Sequence, residues 1–445
     1  MRSSTQAVQC WRMCLRLSSR LLLLLAVCIA AGGCEAPARL PATPNVLRDG
    51  SGSRMLSQAP ADARKADMEV LYVTDRAQTG QTEHGPDYGY GRSIGAAFGQ
   101  ATVSLAPTPS WDELVRAAST DGRDQRYLLT LRSVQEVGQV PIATEFMEVH
   151  NGQMRLRADA AETVSKARSQ LLELVTTHLA NTDRKDIYIY VHGVNNSFAD
   201  SVYRAAATWH YLGRQGVFIA YAWPAGRGGL FGYFYDRESG EFTVVHLKAV
   251  LRMLSQCPAV ERVHLVAHSR GTDVSMTALR ELKIEYDAKG LPAQKALKLD
   301  TVVLAAPDMD ADVFGQRLLL ENLASVSRRL VVYYSHKDKA VGFADWLFSS
   351  RLRLGTLAMA GVRPAGQKLL AELGTVQLVQ CDVSGFSTTH DYIFNHPAAL
   401  SDLILVLRDV RDPGEQNGRP LKHLGGAFWQ LDNNYALPTA ATKSP

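Results

Sequence analysis

The chain has 445 residues, of which 46% are apolar and 21% are charged, with 48 basic and 44 acidic side chains. This composition is that of a globular protein, and it excludes a disordered chain, a collagen-like repeat and a protein with many membrane spans. The positive excess lies entirely at the N-terminus, because residues 1–34 contain four arginines and no acidic residue. The rest of the chain is neutral and has no basic stripe, so nothing indicates binding to nucleic acid.

A secretory signal is predicted over residues 1–33. Three arginines precede an unbroken apolar run at 21–29, and small residues then lead to Cys34. This order is typical of an export signal, and the run is too short to span a bilayer. Cys34 directly after Ala-Gly-Gly resembles a bacterial lipobox, in which the cysteine is acylated and becomes the first mature residue. Ordinary signal cleavage with an incidental cysteine is the alternative, and either Met1 or Met13 is the start.

The residue after the lipobox bears on the location of the protein. Acyl chains on Cys34 would anchor the chain stably to a membrane without a spanning helix. Glu35 follows the cysteine, whereas aspartate at that position is associated with retention in the inner membrane of some bacteria. We therefore expect a lipid-anchored protein of a Gram-negative-type cell envelope, at the outer membrane, with its domain in the periplasm or at the cell surface.

Two cysteines, Cys257 and Cys381, remain after the anchor. Two cysteines do not make a disulfide framework. Separate thiols are favoured over a single bridge formed in an oxidising periplasm. No pattern in the sequence indicates the oligomeric state.

The first half of the mature chain divides into two parts. Residues 34–66 are rich in alanine, proline, serine and glycine without an apolar period, which predicts a flexible tether. Residues 67–160 are interpreted as a β-rich N-terminal extension without a chemical motif. Within it, strands are predicted at 69–74, 99–105 and 127–131, with a polar, glycine-rich loop at 77–96.

The main domain is predicted over residues 161–412, followed by a C-terminal tail at 413–445. Helices are predicted at 164–179, 198–212, 241–254 and 272–282. Strands are predicted at 187–191, 217–222, 262–267, 299–305, 330–334 and 375–379. Strands that alternate with helices indicate an α/β fold with a mostly parallel central sheet and helices on both faces. The strands are apolar throughout, as expected of strands buried on both faces.

A nucleophile motif follows the strand at 262–267. The residues Ala267-His268-Ser269-Arg270-Gly271 have the pattern of a nucleophile elbow, with alanine in place of the first glycine. Small residues flank the serine because the turn from strand to helix is tight and strained. The turn exposes the hydroxyl at the carboxyl end of the sheet and at a helix N-terminus. A structural turn is the alternative, but the position between strand and helix favours Ser269 as nucleophile, with His268 and Gly271 supporting it.

An oxyanion hole is predicted where the strand at 187–191 ends. His192 and Gly193 follow this strand, and the glycine lets the chain turn so that the N–H of Val194 can face a developing oxyanion. The N–H of Arg270 would be the second donor. Each such donor contributes about 3–4 kcal/mol in the transition state. His192 is interpreted as a supporting buried histidine rather than a catalytic one.

The acid of the triad is sought after the nucleophile, because this fold has the chain order serine, acid, histidine. Asp338 follows the strand at 330–334 and occupies the expected place. Asp308 and Asp310, which follow the preceding strand, are alternative acids. A helix cap or turn is the structural interpretation of Asp308.

The base is expected after the last strand. His390 follows the strand at 375–379 through a short polar loop and is the favoured candidate. His396 precedes a proline and is predicted to begin the final helix, whereas His423 lies in the glycine-rich tail. His336 comes before the acid and is interpreted as a loop residue.

The glycine- and aromatic-rich residues 223–240 follow a strand at the catalytic edge. They form either a flexible rim that contacts an acyl chain or aromatic substrate, or the packing residues of a long loop. The sequence leaves both interpretations open.

Several of these segments together resemble the bacterial α/β-hydrolase family of domain of unknown function 900. The resemblance runs from about residue 68 to 410. The segments that carry it are Val191-His192-Gly193-Val194-Asn195-Asn196-Ser197-Phe198, Ala222-Trp223-Pro224, Tyr235-Asp236-Arg237-Glu238, Ala267-His268-Ser269-Arg270-Gly271, Ala306-Pro307-Asp308-Met309-Asp310 and Ser335-His336-Lys337-Asp338. It implies an esterase- or lipase-like α/β-hydrolase, with the triad on Ser269, Asp338 and His390.

The chain departs from that family at two positions. Arg270 replaces the usual methionine and Val194 the usual aromatic residue, but both would act through their backbone, so the triad is unaffected. The Arg270 side chain either brings a cation that favours an anionic substrate or pairs with an acid such as Asp236.

The sequence therefore predicts a membrane-anchored serine hydrolase that cleaves small-molecule or lipid esters through an acyl-enzyme. This chemistry needs no metal and no cofactor. An amidase or peptidase with the same triad is one alternative. An envelope lipoprotein that uses the hydrolase fold as a non-catalytic binding scaffold is another.

Overall fold

The computed structural model describes residues 37–119, 127–141, 146–338, 354, 362–385 and 390–437. The predicted signal segment and Cys34 lie outside the described residues. Among the residues described, no helix is both long and apolar enough to cross a membrane.

Most of the strands form one large sheet. The strands are β1 (Met68–Thr82), β2 (Gly85–Ala106), β3 (Leu128–Pro141), β4 (Met147–His150), β5 (Gln153–Leu156), β6 (Asp186–Val191), β7 (Val217–Ala222), β8 (Arg262–His268), β9 (Leu299–Ala305), β10 (Arg329–Tyr334), β11 (Val376–Asp382), β12 (Lys422–Gly425) and β13 (Phe428–Asp432). Eleven of these pair in the order β12-β13-β11-β10-β9-β8-β6-β7-β1-β2-β3, and β4 and β5 form a separate hairpin. The pairs from β13 to β1 are parallel, and the two outer strands β2 and β3 and the edge strand β12 are antiparallel.

Helices cover both faces of this sheet. They are α1 (Ser51–Ser57), α2 (Trp111–Ala117), α3 (Ala158–Ala180), α4 (Phe198–Tyr211), α5 (Gly229–Ser255), α6 (Gly271–Ala288), α7 (Ala293–Ala296), α8 (Ala311–Gly315), α9 (Pro364–Leu373), α10 (Tyr392–Asn395) and α11 (Pro397–Leu407). Apolar side chains of α3, α5 and α6 form the core on one face, and those of α4 and α11 form the core on the other. Every residue of β6, β7, β9 and β10 is buried. The predicted α/β-hydrolase architecture is confirmed.

The N-terminal extension is β-rich, as predicted, but it is not separate from the main sheet. β1 pairs in parallel with β7, and β1 and β2 form one long hairpin that closes at Thr82 and Gly85. The loop predicted at 77–96 is therefore wrong. Its polar and glycine residues belong to a hairpin arm with many exposed side chains, where strands tolerate them.

The tether predicted at 34–66 is wrong for the part that the structure describes. Met55 and Leu56 are buried, and the segment packs on the domain. The buried guanidinium of Arg214 donates to the carbonyl oxygens of Ala63, Lys65 and Asp67. Side chains distant in sequence thus supply the hydrogen bonds that order this segment, so its local composition is a poor guide.

The predicted C-terminal tail also belongs to the domain over its described part. β13 pairs in parallel with β11, and β12 completes a hairpin. Arg419 is fully buried and donates from Nε and Nη2 to the carboxylate of Asp402 at 2.9 and 2.7 Å. Tyr435 also donates to Asp402. A buried ion pair with several hydrogen bonds fixes this hairpin, and the sequence gives no local sign of it.

The two remaining cysteines are separate thiols. Cys257 and Cys381 are both free and buried. The prediction that they do not form a bridge is confirmed.

Candidate active site

Ser269 occupies a strained turn between β8 and α6. Its φ angle is 51°, in the left-handed region that residues with a side chain rarely adopt. The Ser269 N–H donates to Ala305 O at 2.9 Å, and Thr272 Oγ1 donates to Ser269 O at 2.6 Å. A Cβ on Gly271 would lie 2.4 Å from His192 O, so only glycine fits there. The structure has the elbow geometry predicted for this motif.

The loop that follows β6 lies directly against this turn. A Cβ on Gly193 would be 2.7 Å from the Cβ of Ser269 and 3.2 Å from its Oγ. Gly193 is therefore required for close approach, and the adjacent Val194 belongs to a loop beside the nucleophile. Arg270 is the N-cap residue of α6, with helical dihedrals. The first candidate oxyanion donor, the N–H of Arg270, is next to Ser269 in sequence. The second, the N–H of Val194, belongs to the loop that contacts Ser269.

His390 and Asp338 are paired. The Nδ1 of His390 lies 2.7 Å from Oδ2 of Asp338. The Asp338 side chain is fully buried, whereas the His390 side chain is 23% exposed. Asp338 follows β10 and His390 follows β11, so neighbouring parallel strands bring the two residues together. The pairing engages Nδ1 and leaves Nε2 as the ring nitrogen that could accept a proton.

His268 links this pair to the elbow. Its Nε2 donates to His390 O at 3.2 Å, and the two rings are 4.8 Å apart. Burial, with a smaller contribution from His390, lowers the pKa of His268 to about 3. His268 is therefore neutral, and it contacts the residue predicted to be the base.

The alternative acids are engaged in other contacts. Asp308 Oδ2 accepts a hydrogen bond from Tyr233 OH at 2.7 Å, and the Asp308 N–H donates to Ser269 O at 3.2 Å. Asp310 caps α8 by accepting from the N–H groups of Asp312 and Val313. The structure pairs Asp338, and not these residues, with His390 in a direct hydrogen bond.

The alternative histidines have structural surroundings. His396 caps α11 by accepting from Ala398 N at 3.2 Å, as predicted for the start of that helix. His423 lies on β12, where its Nε2 is 3.0 Å from Gly426 O. His336 lies beside Gln380, with 3.3 Å between Nε2 and Oε1.

The side chain of Arg270 does not pair with Asp236. Its Nη2 lies 2.8 Å from Oδ2 of Asp273, one helical turn further along α6, and both side chains are largely buried. Arg317 Nη1 approaches the other oxygen of that carboxylate at 3.3 Å. Arg270 thus pairs with an acid, as one of the two interpretations proposed, but the acid is Asp273 at i+3 and not Asp236.

Only the first part of the segment at 223–240 is a loop, because α5 begins at Gly229. The first turns of this helix expose Phe231 and Phe234, at 86% and 44% of their surfaces. Tyr233 contacts Asp308 beside the nucleophile turn. Phe231 and Phe234 are therefore open to solvent, whereas Tyr233 and the buried Asp236 are held by hydrogen bonds within the domain.

Three residues beneath the site make contacts that the sequence did not indicate, although Trp223 and Asp236 lie in the family-like segments. Arg76, which follows the apolar part of β1, donates from Nη2 to Nε2 of His192 at 3.2 Å. Trp223 stacks on His192 at 5.1 Å and donates from Nε1 to its carbonyl oxygen at 2.7 Å. Asp236 accepts from the N–H of Asn195 at 2.8 Å. A charged residue at the end of an apolar strand was the only sequence signal for Arg76.

His192 is neutral and fully engaged in this cluster. Burial, followed by the cation of Arg76, lowers its pKa well below the ordinary value. Its Nδ1–H donates to Gly193 O at 2.7 Å while Nε2 accepts from Arg76. Both ring nitrogens of His192 are therefore occupied by contacts within the fold.

Solved structures with some similarity include several hydrolases. A CIB-like hydrolase of Thermoplasma acidophilum is 14% identical with a TM-score of 0.27, and the match covers 51% of this chain and 87% of that one. An esterase of Pyrobaculum calidifontis is 9% identical with a TM-score of 0.28, covering 56% and 93%. An esterase of Pyrococcus furiosus is 15% identical with a TM-score of 0.30, covering 50% and 83%. These similarities are too low to support an argument about function.

Comparison at the family level is more informative. No curated protein matches the chain. Residues 167–408, which are more than half of the sequence, match a family described as "Alpha/beta hydrolase of unknown function (DUF900)". The matched region includes Ser269, Asp338 and His390. The chain belongs to this DUF900 family of α/β-hydrolases.

Proposed function

We propose that this α/β-hydrolase cleaves carboxylic esters through a triad of Ser269, His390 and Asp338. The observation that carries the proposal is the 2.7 Å pairing of His390 Nδ1 with the buried Asp338 carboxylate, beside a serine on a strained turn. A serine hydroxyl is a weak nucleophile unless a base removes its proton, and the base is effective when an acid orients it.

The proposed reaction has two halves. Ser269 Oγ attacks the ester carbonyl carbon while Nε2 of His390 takes the hydroxyl proton, and Asp338 stabilises the imidazolium that forms. The N–H groups of Val194 and Arg270 stabilise the oxyanion of the tetrahedral intermediate. The intermediate collapses, His390 protonates the departing alcohol, and an acyl-enzyme remains. Water, activated by the same histidine, then releases the acid and restores Ser269.

The substrate is proposed to be a small-molecule or lipid ester. The exposed Phe231 and Phe234 support an apolar acyl group, because apolar side chains favour apolar substrates. They lie on the same turns of α5 as Tyr233, which donates to Asp308 next to the nucleophile turn. The suggestion that the Arg270 cation favours an anionic substrate has less support, since its side chain is paired with Asp273.

The test compares the Ser269→Ala variant with wild type on aryl esters of increasing acyl length and on the matching anilides. We expect Ser269→Ala to lose ester cleavage and to keep its circular dichroism spectrum. Ser275→Ala is the matched control, because Ser275 lies on α6 and its buried hydroxyl has no hydrogen-bond partner among the described residues. It should retain full activity.

The same series distinguishes the other candidate functions. Faster cleavage of anilides than of esters would identify an amidase or peptidase with this triad. Full ester cleavage by Ser269→Ala would contradict the proposal. Absence of any cleavage by a folded wild-type enzyme would favour a binding scaffold.

We also propose that acylated Cys34 anchors the enzyme to a membrane of the cell envelope, on the basis of the lipobox-like sequence. Metabolic labelling with an alkyne fatty acid should mark the wild type. The Cys34→Ala variant should be unlabelled and should leave the membrane fraction. Equal labelling of both would contradict the anchor.

A further inference from the structure

We propose that Arg76 and Asp236 are positioning residues that hold the oxyanion loop, residues 192–196, in its catalytic conformation. The inference rests on the proposed function and adds two residues to it that lie outside the triad. Arg76 comes from β1 and Asp236 from α5, so elements far apart in the sequence converge on this loop.

Arg76 binds the loop from its carbonyl side. Its Nη2 donates to Asn196 O at 2.7 Å and to Nε2 of His192 at 3.2 Å. Its Nη1 donates to Ala225 O at 2.8 Å and to Gly89 O at 3.0 Å. One guanidinium, only 2% exposed, thereby joins the oxyanion loop to the loop after β7 and to the β1–β2 hairpin.

Asp236 binds the same two loops from their amide side. Its carboxylate accepts from Asn195 N at 2.8 Å and from Gly226 N at 3.2 Å, and the residue is 1% exposed. The loops touch closely here, since a Cβ on Gly226 would be 2.7 Å from Asn196 O. Asn195 has a φ angle of 53°, a strained conformation that its bond to Asp236 helps to maintain.

This arrangement fixes the backbone on both sides of Val194. His192 and Gly193 precede it, held by Arg76 and by contact with Ser269, and Asn195 and Asn196 follow it, held by Asp236 and Arg76. Stabilising an oxyanion requires donors whose direction is set before the charge develops. A loop has no regular hydrogen-bond ladder to set that direction, and buried charges of opposite sign can supply it.

The experiment measures transition-state binding separately from substrate binding. An alkyl boronic acid forms a tetrahedral adduct with the nucleophile serine and reports on the oxyanion hole. In Arg76→Met we expect kcat for a short aryl ester to fall by roughly 10- to 100-fold, the range that misplacement of catalytic groups produces. We expect the boronate inhibition constant to rise by the same factor, while KM changes little. A fluorophosphonate probe counts the intact active sites, so that rates are expressed per site.

Two further variants separate positioning from general stability. Arg214→Met is the matched control, because Arg214 is also buried and also donates to backbone carbonyls, but at residues 63–67. It should lower the melting temperature and leave kcat per site and boronate affinity unchanged. Asp236→Asn keeps the shape of the side chain and provides the test if Arg76→Met does not fold. It should weaken boronate binding and kcat together by a smaller factor.

The outcomes distinguish this inference from the proposed function. If wild type binds neither boronate nor fluorophosphonate, the proposed function fails and this inference fails with it. If wild type binds both, and the folded variants at Arg76 and Asp236 bind boronate as tightly as wild type does, only the positioning role is contradicted. Equal loss in Arg214→Met would likewise assign the effect to stability rather than to positioning.

Discussion

Two histidine–aspartate pairs in this molecule have similar spacing and very different surroundings. His390 Nδ1 is 2.7 Å from Asp338 Oδ2, and the histidine is 23% exposed. His246 Nδ1 is 3.1 Å from Asp75 Oδ2, and both side chains are almost fully buried between α5 and β1. Thr243 Oγ1 also donates to Asp75 Oδ2, at 2.6 Å. The first pair lies beside a strained serine, and the second is enclosed in the core.

The difference shows that a histidine–aspartate pair alone does not identify an active site. A general base must exchange protons with substrate, and this requires an accessible ring nitrogen. The pair after β10 and β11 lies at the carboxyl ends of parallel strands, next to the elbow. Between α5 and β1, the hydrogen bond of Thr243 to Asp75 ties the helix to the sheet, whereas the ring nitrogens of His246 have no hydrogen-bond partner among the described residues.

The largest expected effect is on the acid of the exposed pair. In Asp338→Asn, kcat should fall by roughly 10⁴-fold, because the amide cannot stabilise the imidazolium and favours the wrong histidine tautomer. In Asp75→Asn, kcat per active site should fall by no more than about tenfold, because Asp75 adjoins Arg76 and acts on the site only through the positioning of that residue. Steady-state ester hydrolysis measures both. A loss of similar size in the two variants would remove the distinction between the pairs.

The close approach of Gly193 to the nucleophile is the next test. In Gly193→Ala, the new methyl group would lie 2.7 Å from Ser269 Cβ, so either the turn or the oxyanion loop must shift. We expect kcat/KM to fall by about 100-fold with folding retained. Gly315→Ala is the control, since a Cβ there meets no atom within 4 Å. Normal activity in Gly193→Ala would show that the loop is not in contact with the nucleophile.

A smaller effect is expected on stability in acid. Burial lowers the pKa of His268 to about 3 and that of His264 to about 4, from an ordinary value of 6.5. These histidines are neutral in the fold and take up protons when the chain unfolds. The free energy of unfolding is at its full value, as far as these histidines affect it, above pH 6.5. It decreases as the pH falls towards their lowered pKa values, at roughly 1 kcal/mol per histidine per pH unit.

The measurement is chemical denaturation at about pH 7 and about pH 5. The free energy of unfolding of wild type should be clearly lower at the acidic pH. His264→Phe should lose less on acidification, because the ring nitrogens of His264 have no hydrogen-bond partner among the described residues and the change removes a titrating group. The same loss in both proteins would contradict this explanation.

The smallest effect is expected at the alternative acid. Asp308→Asn keeps an acceptor for Tyr233 OH and should change kcat by less than about fivefold, since amide and carboxylate oxygens both accept this hydrogen bond. The same ester assay measures it. A loss approaching that of Asp338→Asn would assign the orienting role to Asp308 instead.

Prediction from sequence succeeded where the signal is local. The parallel sheet follows from apolar runs such as residues 262–267, which need partners on both faces. The elbow at Ser269 follows from small residues at fixed offsets within one turn. The placement of Asp338 and His390 follows from strand ends, because parallel strands bring their carboxyl ends to one edge.

The failures share one physical cause, which is that side chains distant in sequence supply the decisive contacts. Residues 51–57 form a helix, and Arg214 holds the segment that contains it by a hydrogen bond to Ala63 O. The C-terminal hairpin depends on the buried ion pair of Arg419 with Asp402. Arg76 acts through carbonyl oxygens, which any sequence provides. No local pattern marks such contacts, so composition alone predicted a tether, a tail and an extension without chemistry.

The most direct test of the central claim is to locate the adduct of a fluorophosphonate by mass spectrometry of the wild-type enzyme. We expect one modified residue, Ser269, with labelling abolished in Ser269→Ala and strongly slowed in Asp338→Asn. Labelling of a different residue, or equal labelling of Ser269→Ala, would contradict it.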